Sequence, residues 1–365
     1  MKVVNRWVYV IVGCVALLLS GLVYAWSVLS GPIAAEFPQW SAAQLSLTFT
    51  IVMSFFCIGG LVGGFLAGKV SQKVYLWVSA ALFLVGFLLS ANIRSLAMLY
   101  IGFGVICGFA SGFSYNAVLA TVGKWFPDKQ GLISGILLMG FGISSFLIGK
   151  LYQVCTPDAI GAWRRSFIVL GVVSAVVMAI CGFFLEKPGK DFAPPAAASV
   201  KKKYVNPVAM EAGTGEMLKK PAFWLYYLWA ILLSAAGLAL VSQASAIAKE
   251  VGPTVSIGTI TTVVGLISIF NGIGRVILGG LFDKVGRSGT MQTVNVLFVV
   301  TGIVLIAALK MQSFPVLVAG FICAFFHLAS PMHAFGVFAG LGASPLSNEL
   351  LAGVVFAVLA IVYWI

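Results

Sequence analysis

"FNGIGRVILGGLFDKVGR", residues 270–287, closes an apolar run that begins near Ile257, and Arg275 sits well inside that run. An earlier stretch, "FFCIGGLVGGFLAGKV" at 55–70, aligns to residues 270–285 without gaps. Phe, Ile, Gly, Gly, Leu, Lys and Val agree at seven of the sixteen positions, and Gly60 stands where the later copy has Arg275. Each copy ends the second apolar run of its half of the chain and leads into a short basic loop. The chain is therefore read as two related halves, and the first question is what kind of element the repeated run forms.

Composition answers it. Of 365 residues, 61% are hydrophobic and 9% charged, with a mean hydropathy of +1.08. A soluble domain is about 45–50% apolar and about 25% charged. Apolar runs recur at close to the ~20 residues that a helix needs to cross ~30 Å of hydrocarbon. We read spans at 7–30, 44–67, 75–92, 96–123, 131–153, 166–185, 222–247, 256–282, 291–309, 313–340 and 349–364, eleven in all. The N-terminal run has the basic-then-apolar look of a signal peptide but is too long for a signal core, so it counts as span 1. The fold class expected is an all-α integral membrane protein. It comprises a six-helix half at 1–185, a central loop at 186–221 and a second half at 222–365, atypical after residue 325.

A net charge of +12 does not point to nucleic acid, because the basic residues fall in short loops between spans. With the N-terminus in the cytoplasm, fifteen Lys and Arg lie inside, seven of them in the central loop, and six outside. That bias sets the orientation. The central loop is Ala-, Pro- and Lys-rich and reads as a tether between the halves. The six cysteines show no metal-ligand spacing and read as small packing residues, and no nucleophile–base set or phosphate loop appears. Neither an enzyme nor a cofactor or metal site is expected.

A parallel repeat of six-helix halves is a transporter architecture, with its substrate site near the midplane. At 1.5 Å per residue, Arg275 lies about 12 Å from Asp283 at the end of span 8, near the bilayer centre. A charge there costs at least ~2.5–3.5 kcal/mol. All ten acidic residues fall in loops or at span ends. Snorkelling, a cation–π contact, backbone carbonyls or a bound anion would each stabilise the guanidinium. A bound carboxylate suits it best, since its planar fork donates two parallel hydrogen bonds. Tyr24, Trp26 and Ser27 in span 1, Tyr115 and Asn116 in span 4, and Tyr226 and Tyr227 in span 7 are further polar or aromatic candidates. Asn271 is one turn from Arg275 on the same face. Trp26 and Tyr227 also fit helix packing or interfacial anchoring. The glycines at 59, 60, 63, 64 and 68, and at 131, 135, 140, 142 and 149, read as close-packing surfaces.

The loop "GGLFDKVGR", with Asp283, Gly286 and Arg287, resembles the loop motif of the major facilitator superfamily, and the first-half copy around Lys69 lacks the Asp. "LVYAWSVLSGPI" (22–33), "GFSYNAVLATVGKWFPDKQGLISGI" (112–136) and "PAFWLYYLWAILLSAAGL" (221–238) resemble the oxalate/formate antiporter family within it. The resemblance implies a major facilitator-type bundle and a monomeric secondary carrier of small carboxylates in a bacterial inner membrane. It also implies substrate binding at Arg275; Asn271, Tyr24, Tyr115, Tyr227 and Trp26 are the residues expected around it, and Lys69, Asp283 and Arg287 the expected gating loop. Oxalate exchangers of the family add a lysine in span 11. Span 11 here has none, which favours a monocarboxylate such as pyruvate, lactate or formate. The expected partners are thus a small organic anion and the lipid bilayer.

Two departures accompany the resemblance. A twelfth span is missing, and "FHLASPMHAFGVFAGLGASPLSN" (326–348) does not resemble the family, as a frameshift or truncation would leave it. Oxalate–formate exchange, or a transport-incompetent carboxylate-binding protein, are the alternative functions. Drug and sugar carriers fit less well, because a lone intramembrane arginine matches neither acidic cavities nor rings of Asn, Gln and Trp.

Overall fold

Hydropathy reads directly onto the helices. The computed structural model describes residues 5–66, 69–157, 159–189, 192, 216 and 218–328, and all its regular structure is helical. Seven helices among these residues are long and apolar enough to cross a membrane, from Arg6–Val23 to Ser288–Met311. The end of span 10 and all of span 11 lie outside the described residues.

Local sequence explains several helix starts. Asn5 caps the first helix, its side chain accepting from the Trp7 amide at 3.1 Å. Span 2, Ala42–Leu66, opens on a reciprocal capping box: the Gln44 amide donates to Ser41 Oγ at 3.2 Å, and the Ser41 amide to Gln44 Oε1 at 2.8 Å. Span 7, Pro221–Val251, begins with a proline, whose missing N–H goes unneeded in the first turn. Spans 8 and 9 run as Ile257–Met311, broken only at Gly286, where φ 74° and ψ −174° select glycine. The loop expected between these spans is compressed into that one residue.

Two spans are irregular. Span 1 divides into Arg6–Ser20, a 3₁₀ stretch at Gly21–Ala25, and Trp26–Glu36, which contains Pro32. The Ser20 carbonyl, at the break, accepts from Ser111 Oγ of span 4. Span 4 itself passes through a π-helical segment, Tyr100–Cys107.

Packing divides the described residues into two compact units, 5–125 with 143–192, and 126–142 with 216–328. The first centres on Phe87, whose ring lies 5.8 Å from Phe103 and 5.6 Å from Phe167. One of its ends is held by Glu36, which pairs with Arg164 and accepts from Trp163 Nε1 at 2.6 Å. The other is held by Glu186, which pairs with Lys73 and whose carbonyl accepts from Trp125 Nε1 at 2.8 Å. Span 6 shows the membrane pattern. Val169, Val172, Val173, Val176 and Ile180 stand exposed on one face, while Phe167, Gly171, Ser174 and Met178 are buried on the other. The second unit packs Ala244, Ala248 and Val251 of span 7 against Ile260, Ala308, Leu317 and Phe321. Cys57, Cys107 and Cys181 are buried, whereas Cys155 is exposed; all six are unbridged.

Candidate functional site

Arg275 is 6% exposed, and within the second unit its environment is set by span 5 (Gln130–Cys155). Three glycines on span 5 let span 8 approach. A Cβ on Gly131 would overlap the Gly279 carbonyl, and one on Gly135 would overlap the carbonyl of Arg275 itself. On Gly142 it would stand 3.2 Å from Arg275 Nη1. The contacting residues of span 8 recur at 275, 279 and 283, one helical face. A small-residue seam on span 5 thus lets the two backbones touch, as close helix packing in membranes requires.

Across this seam Arg275 Nη1 donates to the Leu138 carbonyl at 2.6 Å. One of the five guanidinium N–H donors is therefore committed to a backbone oxygen. The same seam carries Asp283. Its Oδ1 accepts from the Gly131 amide and its Oδ2 from the Leu132 amide, both at 2.9 Å. These amides belong to the first turn of span 5, where N–H groups have no partner within their own helix. A carboxylate there also meets the positive end of the helix dipole. Within the loop motif, the Asp283 carboxylate caps the start of a neighbouring helix.

Asn271 lies one turn before Arg275 on span 8. Its Oδ1 is shielded from solvent and accepts no hydrogen bond among the described residues. In the same unit, Tyr227 is buried at the start of span 7, stacked on Phe223 at 5.8 Å and edge-on to Trp224 at 5.8 Å. Tyr226 is buried beside Trp229, ring to ring at 5.5 Å. The backbone of Arg287 is helical just beyond Gly286, and its side chain lies outside the described residues.

The remaining candidates belong to the first unit. Trp26 donates from Nε1 to the Leu45 carbonyl at 3.1 Å and lies 4.9 Å from the Phe103 ring. Tyr115 is 1% exposed, edge-on to Phe56 at 5.4 Å. Asn116 donates to the Gly60 carbonyl at 3.0 Å and so ties span 4 to span 2. Tyr24 falls in the 3₁₀ stretch of span 1, with its side chain, like that of Ser27, outside the described residues. Lys69 is exposed in the turn after span 2.

Sequence reasoning allowed backbone carbonyls as partners of Arg275 without naming Leu138, and it missed the capping role of Asp283. The available signal was the glycine spacing on span 5, which marks a contact face without naming the helix that meets it.

Comparison with known proteins places this arrangement. The family model of the Major Facilitator Superfamily matches residues 11–364. Over 293 residues the chain is 27% identical to the oxalate:formate antiporter of Oxalobacter formigenes, covering 80% of this chain and 66% of that protein. The chain thus spans about two thirds of the antiporter's length. It is 26% identical over 283 residues to an uncharacterized MFS-type transporter of Escherichia coli K12, YhjX, covering 78% and 67%. Monocarboxylate transporter 13 of Rattus norvegicus is 27% identical over 169 residues, covering 46% and 39%. Among solved structures, the proton:xylose symporter XylE aligns with a TM-score of 0.65 at 14% identity, covering 99% of this chain and 88% of that one.

Proposed function

Because the chain belongs to the major facilitator superfamily, we propose that it is a secondary transporter of small carboxylates working by alternating access. The observation that carries this reading is the buried guanidinium of Arg275 inside span 8, seated on a glycine seam. Its similarity to an oxalate:formate antiporter and to a monocarboxylate transporter supports the choice of substrate class. In this reading the N-terminus and the central loop face the cytoplasm of a bacterial inner membrane. The halves at 1–185 and 222–365 carry the movement, and the loops of Lys69, Asp283 and Arg287 gate it.

The chemistry follows from competition for the arginine. A carboxylate accepts two parallel hydrogen bonds from the guanidinium and neutralises it. It also competes with the Leu138 carbonyl for Nη1, loosening one tie between spans 5 and 8. Binding therefore lowers the charge of the site and releases the seam together, which permits reorientation of the loaded carrier. Exchange of one anion for another and co-movement of a proton fit this scheme equally. Because Arg275 offers one cationic fork, a monocarboxylate such as pyruvate, lactate or formate is the favoured cargo. Oxalate–formate exchange is the second reading, on the similarity to that antiporter.

Counterflow in proteoliposomes with a panel of mono- and dicarboxylates tests this. Arg275→Gln removes the charged donor, a loss of about 2–5 kcal/mol for a buried charged pair. Uptake should fall by roughly 30-fold or more, at 1.4 kcal/mol per decade. Undiminished uptake in that variant overturns the assignment, and efficient oxalate exchange selects the second reading.

A further inference from the structure

The end of the first unit held by Glu186 carries a cluster that the proposed transport chemistry does not use. Span 6 stops at Phe184, and Pro188 could not continue it, because its ring would clash with the carbonyl four residues back. Leu185 is extended, at φ −78° and ψ 102°, and fully buried. Further on, the Phe192 amide donates to the Gly189 carbonyl at 3.1 Å and turns the chain. A Cβ on Gly189 would meet nothing within 4 Å, so the segment lies over the surface of the unit.

Most of what holds this segment converges on Trp125, at the end of span 4. The indole Nε1 donates to the Glu186 carbonyl at 2.8 Å, and the Phe192 ring meets the indole edge-on at 4.9 Å. Tyr9 of span 1 stacks on the same indole at 4.3 Å, and Arg6 Nη1 donates to the Trp125 carbonyl at 3.4 Å. The Glu186 carboxylate pairs with Lys73 at the start of span 3. An interfacial tryptophan ordinarily turns its N–H toward water and headgroups. Here the N–H goes to the segment after span 6, and both ends of that segment reach one side chain.

Trp125 also stands where the chain changes units. The chain leaves the first unit after Trp125, toward span 5, and again after residue 193. Resting on the alternating-access reading above, we propose that residues 185–192 form a strap fastened to Trp125, which holds both departures at one anchor so that they move together. The positions that absorb a domain movement are a few residues at the ends of elements. With the strap closed, neither departure shifts without carrying Trp125, and with it the ends of spans 1, 3 and 4. The strap is held by one ring edge, one indole N–H and one half-exposed ion pair, so it opens without unfolding a helix.

Hydrogen–deuterium exchange of the full chain in detergent tests this without any substrate, so its failure leaves the carboxylate reading standing. Phe192→Ala removes the ring contact, and exchange should rise about two- to tenfold in 186–192 and also in 126–129, which Phe192 reaches only through Trp125. Peptides within spans 3 and 6 should exchange as in the wild type. Trp125→Phe keeps a ring against Tyr9 but removes the N–H given to Glu186, and it should produce the same paired rise. Lys73→Glu should loosen both segments, and adding Glu186→Lys should restore them. A rise confined to 186–192 in Phe192→Ala overturns the shared anchor, as does unchanged exchange in both segments. Should the single variants loosen the whole first unit, the charge-swapped pair decides: restored exchange supports the strap, and unrestored exchange overturns it.

Discussion

The two copies of the repeated helix solve the same packing problem in different ways. In the first, small residues lie on both helices, and Gly108 and Gly112 of span 4 make room for the Val52 and Phe56 carbonyls of span 2. Gly59 and Gly60 of span 2 receive span 4 against their backbone, and the polar link comes inward, from Asn116 to the Gly60 carbonyl at 3.0 Å. In the second, Arg275 occupies the frame of Gly60, and the small residues sit on the opposing helix as Gly131, Gly135 and Gly142 of span 5. The polar link runs outward, from Arg275 to the Leu138 carbonyl at 2.6 Å. Where the repeat exchanges glycine for arginine, the larger side chain is accommodated by glycines on the facing helix. The first copy is a helix seam, whereas the second is a seam that carries a charge.

That contrast can be broken most forcefully at the glycines. Gly135→Leu in the second copy and Gly112→Leu in the first each drive a side chain into an opposing carbonyl, of Arg275 and Phe56 respectively. Overpacking of this kind costs about 1–3 kcal/mol or more, so both variants should lose folded yield and apparent melting temperature in detergent. Substrate should partly restore only chains whose Arg275 seam is intact, so its stabilising effect should survive in Gly112→Leu and vanish in Gly135→Leu. Equal stabilisation of the two would erase the proposed difference between the copies.

A middle-sized effect is expected at the loop ends. Asp283→Ala leaves the Gly131 and Leu132 amides without their carboxylate, which at a helix start is worth about 0.5–2 kcal/mol. Apparent melting temperature should drop. Lys69→Ala, at an exposed turn in the first copy, should stay within about 0.5 kcal/mol of wild type. The smallest change sharpens the first copy alone. Asn116→Leu removes one interhelical hydrogen bond, worth about 0.6 kcal/mol on average in membranes. It should lower thermal stability slightly and leave counterflow unchanged, and a loss of transport in that variant would return Asn116 to the substrate site.

What the amino-acid order indicated by itself was an all-helical membrane chain, the approximate limits of the described helices, the likeness of 55–70 to 270–285 and the place of Arg275 inside an apolar run. Each is a local property, since hydrophobic length and charge position depend on neighbours along the chain. The loop at Gly286 was legible as a boundary, though its compression to one residue was not, because the positive φ that permits it leaves no mark beyond a glycine. Tertiary structure alone decided which helix meets the arginine, that Asp283 caps span 5, and that Trp26 and Asn116 donate to the carbonyls of Leu45 and Gly60. The physical reason lies in the solvent. In lipid a helix is apolar on every side, so hydropathy separates inside from outside poorly. Small residues and the demand for backbone partners then choose the faces, and those choices join residues more than a hundred positions apart, as Arg275 and Leu138 are.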